Sequence, residues 1–178
     1  INSLPSAHVL ADVVAQIGAA RNPNHIVIET STLPIPDKEA ARKRLAKSKA
    51  ILLDCPLSGT GAQARTKDLV VYASGPRAAI RKCVPVFEGF ARGHYDLGRF
   101  GNGSKMKFAA NLLVAIHNVS AAEAVILARK SGLNAALAVK VLGDGAGSSR
   151  MLQVRGPMMA RRSYRDATMK VEVWQKDM

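Results

Sequence analysis

With 178 residues and 48% hydrophobic content, the chain is long enough for one domain or two small ones around a packed core. No apolar run approaches the roughly 20 residues of a membrane span, because the most apolar stretch, Phe108 to Ala128, is interrupted by Asn111, His117, Asn118 and Glu123; no membrane partner is expected. The formal net charge of +13 is large, yet its basic residues are spread through RKRLAKSK (42–49), RAAIRK (77–82) and RSYRDATMK (162–170), and 4% aromatic content leaves few stacking platforms, which argues against a nucleic-acid partner.

The chain opens INSLPSAHVLADVV, which reads as sequence from within a domain, with no signal peptide ahead of it. Short β-branched runs follow at HIVIETST (25–32), AILLDCPLS (50–58) and DLVVYASG (68–75), separated by helix-like, Lys/Arg/Ala-rich stretches at 36–49 and 76–90. That alternation predicts an α/β domain with a largely parallel sheet over residues 1–100. Pro36, Asp37 and Pro76 stand where first helical turns tolerate them. From residue 101 the strand signal fades. Ala, Leu and Val recur at helical spacing, predicting one long helix from about Ser104 to Ser131 with Gly132 as its stop, then a second helix at 135–143 and the loop GDGAGSS leading to MLQVRGPMM. The second part, 101–178, is expected to be all-helical.

Ligands of open α/β sheets sit outside strand carboxyl ends, so the exits ETST (29–32), PLSGTGA (56–62) and ASGP (73–76) are the places to search. Ser58, Gly59, Thr60 and Gly61 offer a hydroxyl and nearly unobstructed backbone N–H groups, a nest for a carboxylate or simply a tight turn. Ser31 and Thr32 either face a ligand or cap the next helix. The stretch GNGSKMKFAANLL (101–113) is neither a GxGxxG fingerprint nor a P-loop. It is GxGxxxK followed by xxxN, which sets Lys107 and Asn111 at i, i+4 on one helical face. An isolated lysine is usually a solvated one; here its neighbours at 108–110 and 112–116 are almost wholly apolar, and a lysine in such surroundings can have its pKa lowered enough to pass protons. His117 reads as a core or interface residue. The two cysteines, Cys55 and Cys83, have no CxxC spacing and fit a reduced cytoplasmic compartment, and no metal-ligand spacing is present.

These motifs together resemble the β-hydroxyacid dehydrogenases, the family of 3-hydroxyisobutyrate dehydrogenase, tartronate semialdehyde reductase and, more distantly, 6-phosphogluconate dehydrogenase. The Leu-Pro at 4–5, TSTLPIP at 30–36, DCPLSGTGAQA at 54–64, GNGSKMKFAANLL, and QKDM at 175–178 are similar to five of its motifs, in its order. The resemblance implies hydride transfer between NAD or NADP and a small hydroxyacid in a homo-oligomer. Lys107 would be the catalytic acid or base, and Asn111 would position substrate. Ser58, Gly59 and Thr60 would receive its carboxylate. Leu4, Pro5 and Thr32 would line the nicotinamide end, and Lys176 would approach the cofactor. The GDGAGSS loop would touch the substrate tail.

Thr60 departs from the family's second glycine, which puts the substrate in question more than the reaction. The resemblance further implies that this stretch is the middle of a longer enzyme: part of a Rossmann-type dinucleotide domain leading through a long helix into a helical domain, with the GxGxxG turn upstream. Two rivals remain at this point. One is a non-catalytic member of the fold that holds nucleic acid through its basic surface, and the other is a related imine or ketoacid reductase.

Overall fold

A computed structural model describes residues 1–20 and 22–165. It divides into two compact units, the first comprising Ile1–Ala109 and the second beginning at Ala110.

The first unit is a three-layer α/β arrangement. Helix α1 (Ala7–Ala19) starts where Ser6 Oγ accepts the Val9 N–H at 3.3 Å, and it buries Leu10 and Val14, one turn apart, against the next helix. Strand β1 (Ile26–Glu29) leads to α2 (Ile35–Ala46), which has proline in its first turn and Asp37 where the helix dipole favours a carboxylate. Strand β2 (Ile51–Asp54) pairs in parallel with β1, residue Ile26 opposite Ile51. Successive residues of these strands feed opposite faces. Val27 and Leu52 join Leu10, Val14, Leu33, Ala41 and Leu45, while Ile28 and Leu53 join Val71, Ile80, Cys83 and Phe87. The sheet is therefore covered on both sides, which is why its strands read as continuous apolar runs.

After β2 the topology departs from the parallel expectation. The segment expected as one strand over 50–58 is interrupted at Cys55–Pro56, where proline has no N–H for a ladder. A two-residue strand β3 (Leu57–Ser58) follows, then α3 (Gly61–Ala64), β4 (Val70–Ala73), α4 (Arg77–Phe90) and β5 (Gly93–Asp96). Strand β3 pairs antiparallel with β4, and β4 pairs in parallel with β5. An antiparallel bridge between Asp54 and Ser74 joins the two small sheets. Because β4 runs against β2, its ASGP exit turns back alongside Leu52 and Leu53, against which Gly75 is packed. Only the ETST and PLSGTGA exits share an end of the sheet.

Helix α5 (Asn102–Lys130) begins in the first unit and continues into the second. It ends at Gly132, whose φ of +84° is the left-handed stop that its position predicts. In the second unit α6 (Ala135–Asp144) is capped by Asn134 Oδ1, which accepts the Leu137 N–H, and α7 (Arg150–Arg161) by Ser149 Oγ, which accepts the Leu152 N–H. The two helices meet closely at Gly156, where an added Cβ would lie 2.8 Å from Val139 Cγ1. No strand follows residue 105 among the described residues, as expected.

Much of the apolar surface of α5 is open in this chain. Leu112, Leu113, Ile116, Val119, Ile126 and Leu127 are each half exposed or more. Contrary to the expectation from its polar interruptions, α5, with 29 residues and a mean hydropathy of 1.5 over its most apolar stretch, is long and apolar enough by composition to cross a bilayer. The interrupting polar residues are too widely spaced to lower the average, so length and composition alone do not exclude a span.

Candidate active site

At the end of β1 the chain is tied to the segment that precedes α1. Asn2 O accepts Thr30 Oγ1 at 2.6 Å and the Thr30 N–H at 2.9 Å; Ser31 Oγ accepts the Leu4 N–H at 2.6 Å. The buried Glu29 carboxylate in turn accepts the Ser31 N–H at 2.7 Å. These bonds bring Leu4 beside Ser31, the residue that precedes half-buried Thr32. Capping explains neither hydroxyl residue, because α2 has Pro34 at its N-cap and no side-chain cap bond.

The SGT turn after β3 has a stronger claim to its ordinary role. Gly59 takes φ +130°, and a Cβ there would lie 2.5 Å from Leu69 Cδ2, so glycine is required for the turn itself. Thr60 sits at the N-cap of α3 and donates its backbone N–H to Gln63 Oε1 at 3.0 Å. That N–H is already committed, and any carboxylate nest here falls to the other groups of the turn. Ser58 is half-buried and Gly59 exposed, so both stand at the surface of the unit.

The glycine question at 101–103 has a structural answer. Gly101 turns the chain with φ +92°, and α5 starts at the next residue. Gly103 lies against the backbone carbonyls of Tyr72 and Asp54, where an added Cβ would come within 2.6 Å of Asp54 O. The glycines seat a helix on the sheet. We expect Gly103→Ala to force the first turn of α5 off β2 and β4 and to cost about 1–3 kcal/mol, the range for overpacking a tight core, whereas Gly89→Ala, where nothing lies within 4 Å, changes little. Thermal unfolding of the two variants measures the difference.

Beneath that turn lies a cluster that the sequence motifs do not announce. Asp54 is fully buried; its Oδ1 accepts Lys38 Nζ and Ser104 Oγ, each at 2.8 Å, and its Oδ2 accepts the Ser104 N–H at 2.8 Å and Ser74 Oγ at 3.1 Å. Ser74 Oγ also accepts the Gly103 N–H at 3.0 Å. Two of the orphan N–H groups at the start of α5 thus find acceptors on the strand exits, and a carboxylate meets the positive end of the helix. Lys38, fully buried on α2, supplies the opposite charge. Its only sequence signal was position 38 in a basic helix, which reads as solvated surface; Asp54 stands inside a quoted motif but had no role assigned. Next to it, burial pushes the Cys55 thiol up to about 12, so this cysteine is a packed thiol and not a nucleophile.

Lys107 is half-buried one turn beyond the seated end of α5, and Lys105 is exposed. Asn111, 4% exposed, lies one further turn along, on the stretch of the helix that belongs to the second unit. Lys176 falls outside the described residues. Among those described, no cluster of three or more His, Cys, Asp or Glu could hold a metal.

Comparison with known proteins agrees with the fold. Residues 1–101 match the NAD binding domain of 6-phosphogluconate dehydrogenase, and residues 101–178 match the NAD-binding region of NADP-dependent 3-hydroxyisobutyrate dehydrogenase. The chain is 33% identical to an L-threonate dehydrogenase of Cupriavidus necator over 90% of its own length and 54% of that protein's. It is 28% identical to the chloroplastic glyoxylate/succinic semialdehyde reductase 2 of Arabidopsis thaliana, over 85% and 42% respectively. A solved 3-hydroxyisobutyrate dehydrogenase from Salmonella typhimurium superposes with a TM-score of 0.79 at 28% identity, covering 92% of this chain and 60% of that one. The chain spans about half the length of the curated relatives it matches. In class, this is a Rossmann-type α/β unit followed through a long helix by helices. The chain belongs to the β-hydroxyacid dehydrogenase family.

Proposed function

We propose that the protein is an NAD- or NADP-dependent oxidoreductase acting on a small β-hydroxyacid or the matching semialdehyde, with Lys107 as its general acid or base. The observation that carries this reading is the seating of α5: the helix that bears Lys107 starts at the carboxyl end of β2, the same end of the sheet as Thr32 and the Ser58–Thr60 turn. Family membership and the names of the relatives, dehydrogenases and reductases of small acids, support the same chemistry.

The tied Leu4–Pro5 and Ser31–Thr32 segments fit the nicotinamide end, and a bound nicotinamide would supply the hydride acceptor or donor. Lys107 takes the hydroxyl proton in oxidation and returns it in reduction. Ser58, Gly59 and the Thr60 hydroxyl, which would give up its long 3.5 Å bond to Gln63 Oε1, receive the carboxylate, while Asn111 orients the substrate so that the carbinol carbon is held at reacting distance. The Thr60 N–H, already spent on Gln63, contributes nothing to that carboxylate. Residues 1–100 then serve the nucleotide and the helical part serves the substrate. Imine reductases share the fold at 13–15% identity, a likeness that speaks to architecture alone.

The test is steady-state turnover by the full-length protein on a panel of small hydroxyacids with each nucleotide. Saturable NADH or NADPH production is expected. A protein that turns over none of them, yet binds DNA with an affinity falling steeply as salt rises, would instead be a nucleic-acid module.

We also propose a homo-oligomer, in which a second copy covers the exposed Leu112, Leu113, Ile116 and Val119 of α5, a row of apolar side chains rarely left in water. Sedimentation is expected to give a dimer or larger, and Leu113→Glu with Ile116→Glu to shift it toward monomer.

A further inference from the structure

We infer that the buried Lys38–Asp54 pair is a positioning device for Lys107. This inference rests on the proposed general acid/base role. It uses observations that the role itself does not need.

Three elements converge on one carboxylate. Lys38 comes from α2, Asp54 ends β2, and the Ser104 N–H and Oγ open α5; every one of these side chains is fully buried. Ser74, after β4, closes the ring by donating to Asp54 and accepting from the Gly103 N–H. Hydrogen bonds of this kind fix the axial position of the first turn, because they act on backbone N–H groups and not only on side chains. Gly103, packed on the carbonyls of Tyr72 and Asp54, fixes the same turn laterally. Lys107 follows Ser104 by three residues, so the position of its Cα is set by this turn before its own side chain makes any contact.

The charge has a distinct part to play. A carboxylate in this position satisfies two donors of α5 and faces the positive end of the helix dipole, but in a dry interior it also needs a counter-charge. Lys38 provides it while bonding to the same oxygen as the Ser104 hydroxyl. Without Lys38 the buried carboxylate lacks its counter-charge and turns toward water, which loosens its hold on the helix. Proton transfer is sensitive to such loosening, since misplacement of a reacting group by about 1 Å can cost on the order of 10²-fold in rate.

The experiment compares the full-length protein with Lys38→Met and with the double variant Lys38→Met/Asp54→Asn. Replacing both charges by neutral groups of similar size is expected to keep the protein folded, yet asparagine offers α5 one acceptor where the carboxylate offers two. Four quantities are measured: melting temperature, kcat, KM, and amide hydrogen exchange at Gly103 and Ser104. Both variants are expected to lose kcat by roughly 10- to 100-fold, with KM within about 3-fold of the parent and with faster exchange at Gly103 and Ser104. If Lys38→Met does not fold, the double variant carries the test. Should that also fail, Ser104→Ala, which removes one bond and leaves the pair intact, is expected to lower kcat by a smaller factor at unchanged KM.

A folded double variant with parental kcat, or with parental exchange at those amides, overturns the proposal and leaves the pair a structural element only. A parent protein inactive on every hydroxyacid defeats the enzyme reading itself, and the positioning role falls with it; an active parent whose double variant keeps parental kcat defeats the positioning role alone.

Discussion

Lys107→Ala in the full-length protein is expected to lower turnover of a small β-hydroxyacid by about 10² to 10⁴, the range for loss of a general acid or base, while nucleotide affinity stays close to that of the parent. The control is Lys105→Ala. Lys105 lies two residues back, about 200° round the helix, and is exposed where Lys107 is half-buried. It shares the charge and the helix but not the face, so general electrostatic attraction of an acid substrate would be weakened alike by both substitutions. Steady-state kinetics on the pair separates the two cases. Equal, small effects would remove Lys107 from the mechanism.

The largest effect on stability is expected from Asp54→Ala. The substitution leaves the Lys38 ammonium, 0% exposed, without its partner, and it strips the Ser104 N–H and hydroxyl of their acceptors. Removing one member of a buried pair typically costs about 3–5 kcal/mol, and a chemical denaturation curve would register that loss. The Arg42–Glu39 pair on α2 is the useful comparison, with side chains 41% and 33% exposed. Glu39→Ala is expected to cost no more than about 1 kcal/mol, because solvent already screens that pair. A result in which both substitutions cost the same would mean that Lys38 finds another partner or water once Asp54 is gone.

The contrast between those two pairs explains what could be read from the amino-acid sequence. The strands at 26–29, 51–54 and 70–73 were legible because sheet burial on both faces selects unbroken β-branched and aliphatic runs. The long helix and its Gly132 stop were legible from the helical spacing of Ala, Leu and Val and from the left-handed turn that glycine makes at a helix end. Strand β5, GHYD, was not, since Tyr95 alone among its residues favours a strand and its conformation comes from pairing with β4. Helix α1 escaped notice as well, although Ser6 and the Leu10–Val14 spacing were signals of it. The antiparallel course of β4 was missed because strand direction is a property of the partner, not of the run.

In the site, the resemblance supplied Lys107, Ser58, Thr32 and Leu4 as motif positions, and local chemistry explained the glycines. Lys38 was out of reach. A lysine type argues for water, and only the fold, by bringing Asp54 beneath it, reverses that expectation. Thr60 taught the opposite lesson: its backbone N–H looked available in the sequence and is taken by Gln63, a neighbour only three residues away.

Because α5 runs unbroken from Asn102 to Lys130 through the boundary between the units, the interval between Lys107 and Asn111 is written in the pitch of one helix. Four residues amount to about 6 Å of rise and a little over one turn. That interval has a phase as well as a length. A single residue inserted between 107 and 111 would turn the two side chains about 100° further apart, whereas a substitution of any one residue between them keeps their phase. Length-changing mutations in this short stretch should therefore be far less tolerated than changes of residue type, a pattern of tolerance that a deletion and insertion scan across 101–130 would trace directly.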